Sequence, residues 1–132
     1  MIPKYRMWNE IISRLHSVDG LYFDREVAQY KDEVGVSRLI KFQNAILMQS
    51  TGLYDKNGKE IFEGDILGVD TDEEIVNLNI YWDSKHALFM FESKKYNEKD
   101  LLAELVEDNT YPFEIIGNIY ENPELLEVEC CH

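Results

Sequence analysis

Apolar and polar residues alternate with a period of two along much of the chain, which is the spacing of a half-buried β-strand. The clearest case is residues 75–82, where four apolar side chains fall on one face: Val76, Leu78, Ile80 and Trp82. The shorter alternation KYRMW at 4–8 predicts a first strand. Further strands are predicted at 21–23, 40–48, 88–91 and 113–120, the last interrupted by Gly117.

Turn-forming residues separate these predicted strands. Asn57-Gly58 is the strongest short hairpin signal, because both residues tolerate a positive φ. Asp19-Gly20 is a second turn signal and predicts a short N-terminal hairpin or edge addition. Residues 70–74 predict an acidic hairpin tip, and residues 25–38 predict a polar loop with a weak helical turn.

The period changes between residues 98 and 107, where one helical stripe replaces the alternation. Four apolar residues form that stripe: Leu101, Leu102, Leu105 and Val106. Asn97 is the predicted N-cap, and Asp108-Asn109 is the predicted end of the helix. One short helix therefore interrupts a pattern that is otherwise β.

Short strands separated by turns, with one short helix, predict an α+β domain that is mainly β. The run EGDIL at 63–67 resembles the opening of an SH3-like β-barrel, because a turn glycine bends the chain sharply into a strand. We predict a single domain over 1–132, with N-terminal strands and a loop at 1–47, a small SH3-like barrel at 48–122 and a tail at 123–132. Unpaired edges of the N-terminal strand extension favour a homo-oligomer.

The charge of the chain is large and uneven. The sequence has 13 basic and 26 acidic side chains, a formal net charge of −13. Residues 1–66 hold 9 basic and 10 acidic side chains, whereas residues 67–132 hold 4 and 16. Such an acidic half repels nucleic-acid phosphates and anionic membranes and suits a basic partner. The alternative is that this charge only keeps the protein soluble.

The first half of the chain favours a different partner. Most of the basic side chains lie there, and small barrels bind single-stranded nucleic acids through aromatic side chains on a basic face. A nucleic-acid-binding regulator that uses Arg6 and Lys41 is therefore an alternative prediction. The competing interpretation is that the aromatic side chains fill the core.

Residue types that carry catalysis or bind metals are sparse. Three histidines stand outside any recognisable motif: His16, His86 and His132. No phosphate-binding glycine loop occurs. Cys130-Cys131-His132 has soft ligand atoms but lacks the further ligands of a closed zinc site. The carboxylates at 70–74 suit Ca²⁺ or Mg²⁺ and leave a metal-dependent hydrolase as the least favoured alternative. We predict no catalytic residue, no metal site and no cofactor.

The sequence also bears on where the protein acts. No apolar run approaches the roughly 20 residues that span a bilayer. The N-terminal segment MIPKYRMWNE has no signal-peptide core, which predicts a cytosolic protein with no membrane partner.

Three stretches carry a family resemblance: KYRMW at 4–8, MQSTGLYDKNGKEIFEGDI at 48–66 and IIGNIYENPELL at 115–126. In this order they resemble the YopX family of phage and prophage proteins over nearly the whole chain. Residues 9–47 and 83–112 carry little of the likeness. The resemblance implies a phage or prophage origin and the cytoplasm of a bacterial host, and it implies no particular biochemical activity.

The motif residues have a structural and a functional interpretation. Asp55, Asp65 and Asn118 are predicted to accept hydrogen bonds from backbone amides in turns or at the start of strands. The competing view is that four motif residues line a binding groove: Asp65, Asn118, Glu121 and Asn122. Six residues are candidates for interaction with a partner: Trp8, Asp65, Trp82, Asn118, Glu121 and Asn122. The leading prediction is a non-enzymatic phage accessory protein that acts through contacts with a host or phage protein.

Overall fold

A computed structural model describes residues 4–127 of the chain. The predicted tail motif Cys130-Cys131-His132 lies outside these described residues. The chain divides into two compact units, Met1–Ser50 and Thr51–His132, and the boundary falls inside one long strand. The prediction of one domain over 1–132 stays a prediction.

The first unit is an antiparallel sheet. Its strands are β1 Tyr5–Asn9, β2 Arg14–Tyr22, β3 Val27–Lys31, β4 Ser37–Lys41 and the first part of β5 Ala45–Tyr54. A short 3-10 turn, Phe42–Asn44, joins β4 to β5. The strands lie side by side in the order β4-β3-β2-β1-β5, so β1 lies between β2 and β5 and pairs with both.

One face of this sheet buries a small apolar core. Met7, Ala28, Tyr30 and Ile40 are each at most 7% exposed. Ala28 and Tyr30 are two residues apart in β3, so the period of a strand turns both toward this face. Partly buried apolar side chains surround the four: Val18, Leu21, Phe42, Ala45 and Leu47.

Three predictions for the N-terminal part were wrong. Residues 40–48 are not one strand, because the 3-10 turn Phe42–Asn44 separates β4 from β5. Asp19-Gly20 is not a turn, because β2 runs through it, and the pairing register with β3 shifts between Val18 and Gly20 as in a β-bulge. Residues 25–38 are not a loop, because β3 and the start of β4 lie there. The reversal between β2 and β3 instead has Glu26 at a φ of 54°.

The second unit holds the remaining strands and the helix. These are the end of β5, β6 Glu60–Phe62, β7 Asp65–Asp70, β8 Ile75–Asp83, β9 Leu88–Ser93, β10 Glu98–Leu101, α1 Leu102–Asp108 and β11 Phe113–Asn118. The end of β5 pairs with β6 through the predicted Asn57-Gly58 hairpin, where Gly58 has a φ of 76°. A final 3-10 helix covers Pro123–Leu126.

A five-stranded antiparallel sheet forms the body of this unit, in the order β10-β9-β8-β7-β11. The predicted alternation of β8 is confirmed, since Leu78 and Ile80 are buried, while Trp82 at the end of the strand is 40% exposed. The core also includes Ile61, Leu67, Val69, Leu102 and Phe113. The predominance of strands among the described residues confirms the mainly β fold. The five-stranded sheet is open, with β10 and β11 at its edges, so the predicted SH3-like barrel is not confirmed.

The helix is shorter than its apolar stripe predicts. Residues 98–101 extend as β10 because Lys99, Asp100 and Leu101 pair in register with β9, and this ladder overrides their helical spacing. Asn97 is not the N-cap of the helix. Leu101 occupies that position and makes no side-chain capping hydrogen bond. The predicted end is confirmed, with Asn109 in the left-handed conformation at a φ of 49°. No helix within residues 4–127 has the length and apolar character to cross a membrane.

Candidate functional site

Four of the six candidate residues lie together where β7 begins and β11 ends. Asp65 pairs in register with Asn118 across these two strands, and its Oδ2 atom accepts the backbone N–H of Phe62 at 2.8 Å. Asn118 Oδ1 accepts the backbone N–H groups of Tyr120 and Glu121 at 3.0 and 2.9 Å. The predicted backbone hydrogen bonds of Asp65 and Asn118 are therefore confirmed.

Glu121 and Asn122 complete the same network. Asn118 Nδ2 donates to Glu121 Oε1 at 3.0 Å, and the backbone N–H of Asn118 donates to Asn122 Oδ1 at 3.2 Å. Asp65 and Asn118 are only 1% and 6% exposed. These contacts fold the chain into a turn after β11, and the backbone N–H of Ile119 ties that turn to Gly64 O, just before β7, at 2.9 Å. A role of the four side chains in partner binding stays a prediction.

Asp55 has the turn role predicted for it and a further one. Its Oδ1 atom accepts the backbone N–H groups of Asn57 and Lys59, both at 2.9 Å, within its own hairpin. Its Oδ2 atom accepts the backbone N–H of Ile115 in β11 at 3.0 Å. Burial alone raises the pKa of the Asp55 carboxyl, but these three donors outweigh burial and hold the pKa below its ordinary value.

The two tryptophans lie in different units. Trp8 is half-buried in β1, where it pairs in register with Leu15 and Ile46. Trp82 lies on β8 opposite Phe89, and the two rings meet edge to face with their centroids 4.8 Å apart. The exposed part of Trp82 leaves it available for contact, and its role in binding stays a prediction.

The second unit contains a cleft of about 350 Å³ with an apolar floor. The floor consists of Val69, Val76, Leu78, Phe91 and Leu105. Val69 and Val76 are register partners on β7 and β8, so their side chains stand on one face of the sheet. Leu105 from α1 packs over that same face. The cleft therefore presents the apolar face of the sheet beside the single helix.

Acidic and aromatic side chains form the rim of this cleft. Glu73 and Glu74 come from the predicted acidic tip between β7 and β8, which is confirmed as a turn. Tyr96 precedes β10, and Glu98 begins it. Glu73 and Glu98 form no ion pair within the part of the chain that the structure describes. The rim consequently carries negative charge that is not neutralised locally.

One rim carboxylate already binds an ammonium group of this chain. Lys95 Nζ lies 2.7 Å from Glu74 Oε2 and 5.5 Å from the centroid of the Tyr96 ring. The Tyr96 hydroxyl donates a hydrogen bond to Glu74 Oε1. The hydrogen bonds from Lys95 and Tyr96 lower the pKa of Glu74, and the Glu74 carboxylate raises the pKa of Lys95 and of Tyr96.

The difference in net charge is larger between the two units than between the two halves of the sequence. Residues 1–50 hold 7 basic and 6 acidic side chains, whereas residues 51–132 hold 6 basic and 20 acidic. The acidic excess thus belongs entirely to the unit that contains the cleft. An apolar floor inside such a surface suits a ligand that combines an apolar group with positive charge.

The acidic tip shows no arrangement typical of a metal site. The Asp70 carboxylate accepts the backbone N–H of Asp72 at 3.1 Å, and the Glu74 carboxylate is bound to Lys95 and Tyr96. Among residues 4–127, no group of three or more acidic, histidine or cysteine side chains is placed to hold a metal ion.

The sequence predicted the acidic tip but missed the cleft. The cleft residues Phe91, Tyr96, Glu98 and Leu105 come from β9, the following turn, β10 and α1 in that order. Only the antiparallel pairing of the strands brings them beside residues 69–78. A signal was nevertheless present, because the β8 alternation predicts an apolar face and the acidic tip follows the neighbouring strand.

Comparison with known proteins relates this chain to one family. The family model described as YopX protein matches residues 4–127. A crystal structure of protein EF1440 from Enterococcus faecalis is 31% identical, with a TM-score of 0.62, over 96% of this chain and 99% of that chain. An X-ray structure of protein yopX from Bacillus subtilis is 20% identical, with a TM-score of 0.64, over 94% and 98%, and shows similarity of fold alone. No curated protein matches the chain significantly.

Proposed function

The chain belongs to the YopX family, and from that premise we propose that it is a phage or prophage accessory protein that acts in a bacterial cytoplasm by binding another protein. The proposed docking site is the acidic cleft of the second unit. The proposed occupant is a basic segment of the partner that inserts an apolar side chain. The role is that of a binding protein rather than an enzyme.

One observation carries this proposal: the cleft joins an apolar floor to a rim of carboxylates. Val76, Phe91 and Leu105 offer a surface that releases water when an apolar side chain covers it. An apolar cleft that is bordered by a few polar groups is typical of a binding site. Carboxylates on the rim then select a cationic neighbour and increase the rate of encounter.

The contact between Lys95 and Glu74 supports the choice of a cationic partner. A primary ammonium already lies on this rim, against a carboxylate and near an aromatic ring. Both contacts favour cations, the first by charge and the second by the electrostatics of the ring face. A lysine of a partner can make the same contacts at Glu73 or Glu98, which are unpaired among the described residues.

The alternative of a nucleic-acid-binding regulator is less well supported. The basic residues of the first unit are partly paired already, with Arg14 at 3.3 Å from Glu33 and Arg38 at 2.6 Å from Asp32. Residues 1–50 carry a net charge of only +1, whereas a typical nucleic-acid-binding surface has a large excess of basic side chains. Binding of DNA or RNA is therefore the second candidate and not the proposed function.

The test is an NMR titration of the ¹⁵N-labelled chain with a short capped peptide of alternating leucine and lysine. We expect amide shifts at residues 73–76, 91–98 and 105. A peptide of alternating serine and lysine controls for charge alone, and one of leucine and glutamate controls for apolarity alone. Both controls are expected to bind at least about fivefold more weakly, since each lacks one of the two contributions. Equal binding of all three, or shifts elsewhere, would overturn the proposal.

A further inference from the structure

The first unit contains a second cavity, of about 370 Å³, with a different chemistry. It lies between the turn that joins β1 to β2, the end of β4 and the 3-10 turn at 42–44. Three aliphatic side chains that wall it are unusually exposed: Ile11 at 67%, Ile12 at 47% and Leu39 at 55%. Large exposed aliphatic side chains that converge on one cavity mark a surface suited to a ligand.

Two polar side chains that also line this cavity are almost fully buried. Asn9 is 2% exposed and Tyr30 is 7% exposed. Asn9 Oδ1 accepts the backbone N–H of Ile11 at 3.0 Å, which fixes the orientation of the amide group. Asn9 Nδ2 then donates to the Tyr30 hydroxyl oxygen over a long distance of 3.5 Å.

With these hydrogen bonds assigned, the groups that remain available to a ligand are donors rather than acceptors. The second N–H of the Asn9 amide and the hydroxyl proton of Tyr30 have no acceptor within the described chain, and a buried donor without an acceptor is costly. Lys41, at the mouth, adds an ammonium that forms no ion pair among residues 4–127. Two neutral donors and one cation suit a carboxylate.

We propose that this cavity binds an aliphatic carboxylate, with its carboxylate toward Asn9, Tyr30 and Lys41 and its hydrocarbon against Ile11, Ile12 and Leu39. The volume lies at the low end of ligand cavities, about 300–1,000 Å³, so the ligand is small. The carboxyl terminus of a peptide that ends in an aliphatic residue and a free short-chain acid share this chemistry. The site is separate from the docking cleft and does not depend on it.

The test is an NMR titration of the ¹⁵N-labelled full chain with N-acetyl-glycyl-leucine. Its amide, N-acetyl-glycyl-leucinamide, is the matched control because it keeps the hydrocarbon and removes the charge. We expect the acid to shift the amides of residues 9–12 and 39–44 and to bind at least about fivefold more tightly than the amide. A second arm with 4-methylpentanoic acid distinguishes the sources, since equal binding indicates a free acid and much weaker binding indicates a chain terminus.

Variants separate recognition from folding. Lys41→Gln changes an exposed side chain and is expected to weaken binding of the acid about threefold, with Lys31→Gln as the matched control that leaves binding unchanged. Tyr30→Phe keeps the ring in the core and removes the donor, with an expected loss of about fivefold. The proposal is overturned if the acid shifts no amide of the cavity at millimolar concentration, if the amide binds equally, or if Lys41→Gln behaves as Lys31→Gln does.

Discussion

Glu74 and Lys95 join two turns of the second unit, with Glu74 Oε2 lying 2.7 Å from Lys95 Nζ although 21 residues separate them in sequence. Glu74 ends the turn between β7 and β8, and Lys95 lies in the turn between β9 and β10. Both turns border the acidic cleft. The Lys95 ammonium therefore competes with any cation that a partner brings to Glu74.

Lys95→Gln is expected to strengthen binding of the leucine–lysine peptide to the cleft. The change removes the competing ammonium and one positive charge from the rim, and for exposed ion pairs this corresponds to an increase in affinity of about threefold. Isothermal titration calorimetry of the variant and of Lys85→Gln, a lysine outside the cleft, measures the effect. If Lys95→Gln weakens binding and Lys85→Gln does not, Lys95 contributes to peptide binding instead of competing with the peptide for Glu74.

Glu74→Gln is expected to lower the pKa of Tyr96. In the native chain the Glu74 carboxylate accepts a hydrogen bond from the Tyr96 hydroxyl and repels a phenolate, and both effects raise that pKa. A neutral amide removes the charge while keeping the shape of the side chain. NMR titration of ¹³C-labelled tyrosine measures the change, with Glu107→Gln as a control at a carboxylate that does not line the cleft. An unchanged Tyr96 pKa would show that the two side chains do not meet in solution.

Asp55→Ala is expected to destabilise the fold by about 3 kcal/mol, because three backbone N–H groups lose their acceptor. Asp55→Asn retains one acceptor oxygen and is expected to cost less. Chemical unfolding followed by circular dichroism measures both values. A cost below about 1 kcal/mol for the alanine variant would mean that water replaces the carboxylate.

The same carboxylate predicts a dependence of stability on pH. Because the pKa of Asp55 is lower in the folded than in the unfolded chain, its contribution is fully present above the ordinary value of about 3.9. That contribution is lost as the pH falls through the folded value. The difference in unfolding free energy between the native chain and Asp55→Asn should accordingly shrink between pH 6 and pH 3. A constant difference over this range would contradict the assigned pKa direction.

Gly117→Ala is expected to destabilise the chain by about 1–3 kcal/mol, because a Cβ atom there would lie 2.5 Å from Asn122 Oδ1. The double variant Gly117→Ala with Asn122→Ala removes that collision and should recover part of the loss. Gly58→Ala is the contrasting case, since it has open space but a φ of 76°, so no second substitution should rescue it. Thermal unfolding of these three variants and of Asn122→Ala alone distinguishes the two mechanisms. If Gly117→Ala costs the same in the presence and in the absence of the Asn122 side chain, the collision is contradicted.

The sequence predicted those elements whose local pattern agrees with their final pairing. The alternation of 75–82 and the turn chemistry of Asn57-Gly58 each specify a strand or hairpin without help from distant residues. The predictions failed where pairing overrides local preference. Residues 98–101 have helical spacing yet extend along β9, and Asp19-Gly20 resembles a turn yet forms a bulge beside β3.

The candidate sites were harder to predict than the elements. Asp65 and Asn118 stand in conspicuous motifs, and their backbone contacts follow from the polar chemistry of short side chains at the ends of strands. The floor of the acidic cleft, by contrast, comes from residues as far apart as Val69 and Leu105, which meet only through the order of the sheet. Periodicity shows that a face is apolar but not which part of it stays uncovered.

The central claim is that carboxylates on the cleft rim bind a basic, apolar segment of a partner. The most direct measurement is the Kd of the leucine–lysine peptide for the double variant Glu73→Lys with Glu98→Lys. The matched control is Glu107→Lys with Glu127→Lys, which changes the net charge equally outside the cleft. We predict that the rim variant binds about tenfold more weakly than the control. Equal affinities would show that overall charge alone attracts the peptide and would contradict the claim.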